Sequence, residues 1–382
     1  MSRKKAKDSR PVEEEAGLPP RFPAWPLHWA ALAWSVWVGA KFIGRGVKLH
    51  PWMWAEFIRL VGEAAPVLRS AVPDLGRLLL FWAGVSAVGR LILRRLAPEA
   101  AAGGDGLVYA GGLGVWAVST GMLGLGLAGF WNTELLRWGF YAGGAAGVGF
   151  WVYEKRKATE QQISTEQKIT TEREKWTAEH MIACAILCST VILGLFAALT
   201  PEIFYDSLVY HLALPKLYLL RGGVEPTPHN IYSGVPMGIQ MLYGLALAVS
   251  GETLACLIHW SLGLAALGAV GCWAARYQSR STAILACLLY YLCPSVIYAG
   301  WHAGVDLGAS FLVMGAFLAM SRSLENAAGP GLRWSVLAGV LAGAAMGTKY
   351  NVFPVGAILV AVHAAVGRRR GAPLLWSGAM AA

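Results

Sequence analysis

Long apolar runs alternate with short polar segments along most of the 382-residue chain. An apolar run of about 20 residues crosses roughly 30 Å of hydrocarbon as a helix, because lipid offers no partner to unpaired backbone groups. On this basis the pattern predicts about ten membrane spans, at residues 24–43, 77–96, 107–130, 135–153, 181–200, 254–274, 282–300, 306–321, 334–349 and 352–367. The predicted fold class is all-α, a polytopic transmembrane helical bundle.

The stretch between the fifth and sixth predicted spans does not fit a further crossing. The Gly, Pro and Asn content of residues 221–236 predicts a loop. Residues 237–250 supply only about 14 apolar residues, which favours an interfacial or re-entrant helix. We therefore expect a large outer loop over residues 201–253 that carries two short juxtamembrane helices.

The two ends of the chain add two expectations. The first 20 residues are polar and lack the hydrophobic segment and cleavage site of a signal peptide. The first predicted span should therefore remain as an uncleaved anchor. The last segment, GAPLLWSGAM, stops inside an apolar run, so we expect the chain to be incomplete at its C-terminus.

Composition agrees with a membrane protein. The chain is 56% hydrophobic and only 14% charged, with a mean hydropathy of +0.49, far from the averages of soluble proteins. All six cysteines lie in apolar spans, and none forms a CxxC pair. This placement indicates small buried hydrophobic side chains rather than a disulfide framework or a metal site.

The net charge of +10 carries information about orientation. Short cytoplasmic loops of membrane proteins are enriched in Lys and Arg, and the predicted spans place the main basic clusters on one side, which we assign to the cytoplasm together with the N-terminus. Residues 44–74 are the exception, because they contain four basic residues and yet fall on the outer side. The clusters are residues 3–10, Arg90 with Arg94 and Arg95, residues 154–175, Arg276 with Arg280, Arg322 with Arg333, and residues 368–370.

One strongly polar stretch divides the chain. Residues 153–180 alternate in charge sign and contain no Pro or Gly, which is typical of a solvated helix or a flexible connector. We therefore divide the protein into a four-helix transmembrane region (1–153), a charged cytoplasmic connector (154–180) and a second transmembrane region (181–382). We assign no chemistry to the first region.

Asp206 is the first candidate functional residue, at the mouth of the fifth predicted span. In an α-helix that begins after Pro201, Asp206 and Tyr210 share a face, whereas His211 points about 140° away from Asp206. In a structural interpretation, Asp206 caps an amphipathic helix, and Tyr210 and His211 anchor it at the interface. In a functional interpretation, the Asp206 carboxylate is a general base, because ionisable groups at membrane depth are costly and usually functional.

Asp306 is the second acidic candidate. It begins an apolar run, with His302 four residues earlier on the same helical face. The structural alternative is again a helix cap. Asp206, Asp306 and His302 together have the ligand types to bind one divalent cation, although their spacing matches no metal motif.

Lys349 is the basic candidate, at the point where a later helix reaches the outer surface. It is either a lysine that extends its amine to the interface or a point charge for a phosphate group, with Arg221 or Lys216 as helpers. An outer site rich in carboxylates, with one or two cations and lipid around it, suits a substrate that is half lipid and half phosphate-linked polar group.

Three segments carry a resemblance: YDSLVYHLALPKLYLLRGGVEPTPHNIYSGVPMGIQMLYGLAL, WHAGVDLGASFLVMGAF and AGVLAGAAMGTKYNVFP. They resemble the bacterial GT-C glycosyltransferases of the ArnT/PMT-like group, in particular the RgtA/B/C/D-like branch, which is similar to glycosyltransferase family 39. The resemblance covers roughly residues 178–370. It does not cover the four-helix region before residue 154.

The resemblance implies a GT-C-like core and assigns roles to three residues. Asp206 matches the acidic residue early in the outer loop that serves as base or metal contact, Asp306 matches a second acidic residue, and Lys349 matches a position that we link to the phosphate of the carrier lipid. The implied donor is a polyprenyl-phosphate sugar, with a divalent cation (Mg²⁺ or Mn²⁺) in many members. The implied location is the bacterial inner membrane, with the active site on the periplasmic face.

The predicted activity is inverting transfer of a hexose or pentose to a lipid, glycan or protein acceptor of the cell envelope. The alternative from another class is a multi-pass transporter or lipid flippase. Such folds often show internal repeats and charged residues near the bilayer midplane, whereas here no convincing repeat is visible and the ionisable groups gather at one surface. A non-catalytic scaffold leaves the grouping of Asp206, Asp306 and Lys349 unexplained. No nucleic-acid partner is expected.

Overall fold

The computed structural model describes residues 51–164, 176–325 and 331–369, together with positions 29, 33, 34, 36, 37, 40 and 41. Residues 1–47 form one compact unit and residues 48–382 another. In the first unit, the seven described positions are helical, and the rings of Trp34 and Trp37 stack at 5.4 Å. The remainder of the predicted span at 24–43 lies outside the described residues.

The second unit is all-α over the residues that the structure describes, as predicted. Most helices begin or end within a few residues of the predicted spans. They are α1 (Pro51–Leu96), α2 (Pro98–Ala102), α3 (Gly106–Leu127), α4 (Thr133–Ser164), α5 (Ala178–Ala198), α6 (Ala213–Arg221), α7 (Gly238–Val249), α8 (Glu252–Tyr277), α9 (Arg280–Tyr291), α10 (Pro294–Ala299), α11 (Asp306–Glu325), α12 (Gly331–Met346) and α13 (Phe353–Arg369).

Five of the described helices are long and apolar enough, by length and composition, to cross a membrane: residues Arg69–Leu96 of α1, then α3, α5, α8 and α11. Helices α7 and α12 and the segment Tyr350–Val366 are apolar but shorter. The first part of the predicted connector is helical, because residues 154–164 continue α4. Residues 165–175 lie outside the described residues.

Two predicted boundaries are wrong. Residues 51–76, predicted as an outer loop, belong to α1, a helix of 46 residues that at 1.5 Å per residue is about 70 Å long and so exceeds the bilayer thickness. The predicted span at 282–300 is divided into α9 and α10 at Leu292–Cys293. Pro294 explains this break, since proline lacks an N–H and disfavours helical geometry in the residue before it.

Close packing of α1 against α3 depends on glycine. A Cβ on Gly114 of α3 would collide with the carbonyl oxygen of Val85 in α1, and a Cβ on Gly89 would collide with that of Ala110. Because these obstacles are backbone atoms, the two helices would have to separate to admit a methyl group. Small residues that permit such backbone contact are typical of helix pairs in membranes.

We expect Gly114→Ala to lower the free energy of unfolding by about 1–3 kcal/mol, the usual cost of overpacking. Gly121→Ala is the matched control on the same helix, since a Cβ there meets nothing within 4 Å. It should be neutral or slightly stabilising because alanine is the better helix former. Thermal unfolding of the detergent-solubilised protein measures both, and equal melting temperatures for the two variants would contradict this account of the α1–α3 contact.

Ion pairs join several helix termini at one end of the bundle. Arg94 pairs with Glu154, Arg276 with Glu325 at 3.1 Å, and Arg333 with Glu99 at 3.4 Å. Asp306 lies at the opposite end of α11 from Glu325, and the 20 residues of that helix correspond to about 30 Å. Arg94, Arg276 and Arg333 thus lie at the end of the bundle away from Asp306. The charge pattern of the sequence predicts these three residues on one common side.

Helix α7 lies inside the bundle. Ten of its 12 residues are buried, and it packs against α3, α4, α6 and α8. The N–H of Gly238 donates to the carbonyl of Gly347 at 3.0 Å, and Ser250 at the other end bonds to Arg77 of α1 at 3.0 Å. The short helix is therefore confirmed, but it is enclosed by protein, with helices of the predicted first region forming part of the enclosure.

Candidate functional site

The outer loop begins with a carboxylate that fastens it to a second loop. Glu202 is buried and accepts hydrogen bonds from the N–H groups of Phe204 at 2.8 Å and Ala303 at 2.7 Å. The Sγ of Cys256 in α8 lies 3.5 Å from the same carboxylate. Glu202 thus joins the start of the outer loop to the segment that precedes α11. Sequence reasoning missed this residue, for which the only signal was an acidic side chain directly after Pro201.

Asp206 directly precedes a π-helical turn, Ser207–His211. In this turn the N–H of Leu212 donates to the carbonyl of Ser207 at 2.8 Å, and the Ser207 hydroxyl donates to Ala303 at 3.2 Å. The i→i+5 pattern inserts one residue relative to an α-helix, and such turns are frequent at functional sites. The predicted α-helical spacing of 206–211 is therefore wrong. Tyr210 and His211, the last two residues of the π-helical turn, line the same cavity.

This cavity, which we call the site cavity, has a volume of about 270 Å³. The rings of Tyr210 and Tyr232 stack at 4.2 Å on one part of its wall. Gln240 of α7 contributes another part and lies with its Nε2 3.1 Å from the Nδ1 of His211. Burial lowers the pKa of His211 to about 3, so its imidazole is neutral near pH 7. The principal lining side chains are Tyr210, His211, Tyr232, Gln240, Lys349 and Tyr350.

Lys349 and Asp306, 43 positions apart in sequence, form an ion pair of 2.7 Å between Nζ and Oδ1. Lys349 stands in the short connection between α12 and α13, and Asp306 is the first residue of α11. Their side chains are 37% and 49% exposed, which leaves the ammonium group open to a ligand. The structure therefore brings together two of the three principal predicted residues.

His259 positions the start of α11. Its Nδ1 lies 2.8 Å from the carbonyl of His302, and its Nε2 accepts from the N–H of Leu307 at 3.1 Å. A neutral imidazole satisfies both backbone groups at once. This contact holds Asp306 where it meets Lys349.

His302 and Asp206 lie beside the site cavity, outside its lining. His302 is buried and stacks on Phe204 at 3.9 Å, and burial lowers its pKa. Asp206 is partly exposed. Burial is the main cause that raises the pKa of Tyr210. The nearby Asp206 carboxylate raises this pKa further, and the Asp306 carboxylate adds to the same effect. Both predicted carboxylates therefore influence the same tyrosine at the cavity wall.

The predicted helpers of Lys349 lie elsewhere. Arg221 ends α6, donates to Thr227 at 3.3 Å and lines a separate cavity of about 400 Å³ with Trp131, Asn132 and Glu134. Lys216 is exposed on α6 and is not among the residues that line the site cavity. The structure thus brings neither helper to the cavity of Lys349.

The described residues show no preformed cluster of ligands for the predicted divalent cation. Among them, no group of three or more His, Cys, Asp and Glu side chains is arranged to hold a metal ion. Asp306 already has a cationic partner in Lys349, and the ring of His302 is packed on Phe204. Asp206, Asp306 and His302 are therefore not arranged as one preformed ligand set, and dependence on a divalent cation stays a prediction that the transfer assay measures.

A second cavity, which we call the apolar cavity, adjoins the site cavity. Its volume is about 440 Å³, and it shares Val235, Pro236 and Thr348 with the site cavity. Helix α3, from the region that the resemblance does not cover, supplies one wall. The lining is mainly hydrophobic and includes Val115, Trp116, Leu123, Ile239, Met241 and Leu312.

Comparisons with known proteins identify no relative. No protein-family model matches the chain, no curated protein matches it, and no solved structure matches it. The arrangement of the side chains at the site is therefore the basis for inferring a function.

Proposed function

We propose that the protein is a multi-pass membrane glycosyltransferase of the GT-C type that transfers a sugar from a polyprenyl-phosphate donor to a lipid, glycan or protein acceptor. The observation that carries the proposal is the position of Lys349. It lies on the site cavity, which His211, Gln240 and tyrosine side chains also line and which adjoins the apolar cavity. A ligand with an anionic phosphate between a sugar and an isoprenoid chain matches this combination of a cation, hydrogen-bonding side chains and an adjoining apolar cavity.

Membrane insertion is supported by the surface of α5. Its side chains Ile182, Ile192 and Leu193 are each more than half exposed, although α5 is the most hydrophobic of the five candidate spans. A continuous apolar surface of this kind is costly in water and is satisfied by lipid. A polytopic bundle in which such surfaces face the hydrocarbon of the membrane is therefore part of the proposal.

The basic end of the bundle supports an orientation. We assign the end with Arg94, Arg276 and Arg333 to the cytoplasm, following the enrichment of basic residues there. Asp306 and Lys349 then lie on the outer, periplasmic face of a bacterial inner membrane. This assignment gives the site direct access to acceptors of the cell envelope.

The proposed reaction is a single displacement. Asp206 removes a proton from the acceptor hydroxyl or amine, and the acceptor atom forms a bond to the anomeric carbon of the sugar. The bond from that carbon to the phosphate oxygen breaks, and its electron pair leaves with the polyprenyl phosphate. Lys349 stabilises the departing charge. Its ammonium group has three N–H donors, of which one bonds to Asp306. One displacement inverts the anomeric centre.

The test uses the purified full-length protein in nanodiscs. It is incubated with radiolabelled polyprenyl-phosphate hexoses or pentoses and a membrane lipid extract, with and without Mg²⁺ or Mn²⁺. We expect label to move from the donor into a new product. If no label moves and no carrier lipid binds, the glycosyltransferase proposal is wrong, and transport of the labelled lipid between the two faces of a vesicle becomes the function to measure.

A further inference from the structure

Gln240 lines the site cavity and carries a buried polar atom that no described residue satisfies. Its side chain is 1% exposed, lines the cavity and uses its Nε2 in the contact with His211. The Oε1 atom has no hydrogen-bond partner among the described residues. If the amide is turned over, the NH₂ group becomes the unpartnered one, so either orientation leaves one polar group of Gln240 without a partner. Since buried polar groups are nearly always paired, this amide indicates a ligand group that completes it.

His211 provides a second, neutral contact beside Gln240. When Gln240 Nε2 donates to His211 Nδ1, the hydrogen of the neutral imidazole lies on Nε2, which then acts as a donor. Burial keeps the pKa of His211 far below 7, so the ring carries no charge at neutral pH. Gln240 and His211 together offer a hydrogen-bond acceptor and a donor without net charge, a pairing suited to hydroxyl groups.

The rest of the lining combines three tyrosines and Lys349 with aliphatic side chains and the polar side chains of Thr348 and Asn351. Tyr210 and Tyr232 present stacked rings, and the hydroxyl of Tyr350 is already used by the carbonyl of Gly234 at 2.9 Å. Lys349 is the charged side chain among the residues that line this cavity. A sugar hydroxyl can both donate to the amide oxygen of Gln240 and accept from the Nε2–H of His211, whereas an ammonium group can only donate and a carboxylate can only accept.

We propose that Gln240 and His211 form the sugar subsite of the donor and select an uncharged sugar, with the Gln240 amide oxygen accepting a hydrogen bond from a sugar hydroxyl. This inference rests on the proposed glycosyltransferase function and specifies the class of sugar that it transfers. Gln240 is thus a specificity-determining residue, distinct from the groups that we assign to proton transfer and to the phosphate.

The test compares donors as well as variants. Polyprenyl-phosphate carriers of a neutral hexose, of its singly deoxygenated analogues and of an amino sugar are offered to the wild type and to Gln240→Met, a substitution of similar size that removes the amide. Gln278→Met is the matched control, because Gln278 follows α8 at the basic end of the bundle. Thermal unfolding of each variant checks its folding.

We expect the wild type to prefer the neutral sugar over the amino sugar at least tenfold in kcat/KM. Gln240→Met should lower kcat/KM for the neutral sugar about tenfold, the scale of one neutral hydrogen bond, but should have little effect on the analogue that lacks the bonded hydroxyl. Gln240→Glu should shift the preference toward the amino sugar, and it provides a second test if Gln240→Met does not fold. Gln278→Met should leave all donors unchanged.

Two results separate the inference from the proposed function. If the wild type transfers the amino sugar as well as the neutral one, or if Gln240→Met slows every donor by the same factor, the sugar subsite is wrong while glycosyl transfer stands. If the wild type transfers sugar from none of these carriers, the glycosyltransferase function itself is overturned, and the subsite with it.

Discussion

Asp206→Asn is expected to lower sugar transfer by about 10²–10⁴-fold, the usual contribution of a general base. The substitution keeps the size of the side chain but removes its ability to accept a proton. Asp206 is partly exposed, and its role as base predicts a loss in kcat with little change in the KM for the donor. Initial rates of label transfer over a range of donor concentrations measure both constants.

Glu225→Gln is the matched control for this substitution, since Glu225 is an exposed carboxylate of the same outer loop. We expect it to retain the wild-type rate. Thermal unfolding should give similar midpoints for both variants. Full transfer by Asp206→Asn would refute the assignment of Asp206 as base, and an equal loss in Glu225→Gln would attribute the effect to the net charge of the loop.

Hydrophobic patterning predicts the positions of most helices, because a bilayer-spanning helix must satisfy its backbone internally and present apolar side chains. The extent of α1 is not visible in this pattern. Its first 18 residues, 51–68, precede the apolar segment that begins at Arg69, and a hydropathy argument detects only the apolar part. The break before Pro294 had a local signal in proline itself, but the length of the apolar run outweighed it.

In the candidate site, too, some features could be predicted from the sequence and others could not. Asp306 and Lys349 could be predicted to share the outer face, because each lies at the outer end of an apolar run and consecutive spans alternate in direction, but their ion pair could not. Glu202 and Gln240 could not be predicted, because their importance depends on distant partners, Ala303 and His211. The hydroxyl of Ser207, in the π-helical turn, bonds to the distant Ala303, whereas local spacing alone predicted an α-helix there.

Lys349→Met is expected to lower kcat/KM for the donor by about 10²–10³-fold, the range measured when one preorganised donor to a developing negative charge is removed. Loss of stability should not account for this effect. An ion pair as exposed as Lys349–Asp306 contributes about 0–1 kcal/mol to folding. A normal melting temperature together with a large loss of transfer would therefore place the role of Lys349 in the reaction.

The variants Asp306→Asn and Lys349→Met, combined in a double-mutant cycle, show how the pair operates. If Asp306 acts by orienting Lys349, its substitution should slow transfer in the wild type but have little further effect once Lys349 is methionine. Lys216→Met is the control, because Lys216 is an exposed lysine of the same outer loop that does not line the site cavity. Equal losses in Lys216→Met and Lys349→Met would indicate a general attraction of the anionic carrier to the loop and would contradict a specific phosphate contact. Additive losses in the cycle would instead show that Asp306 acts independently of Lys349, through its own contact with the acceptor or the sugar.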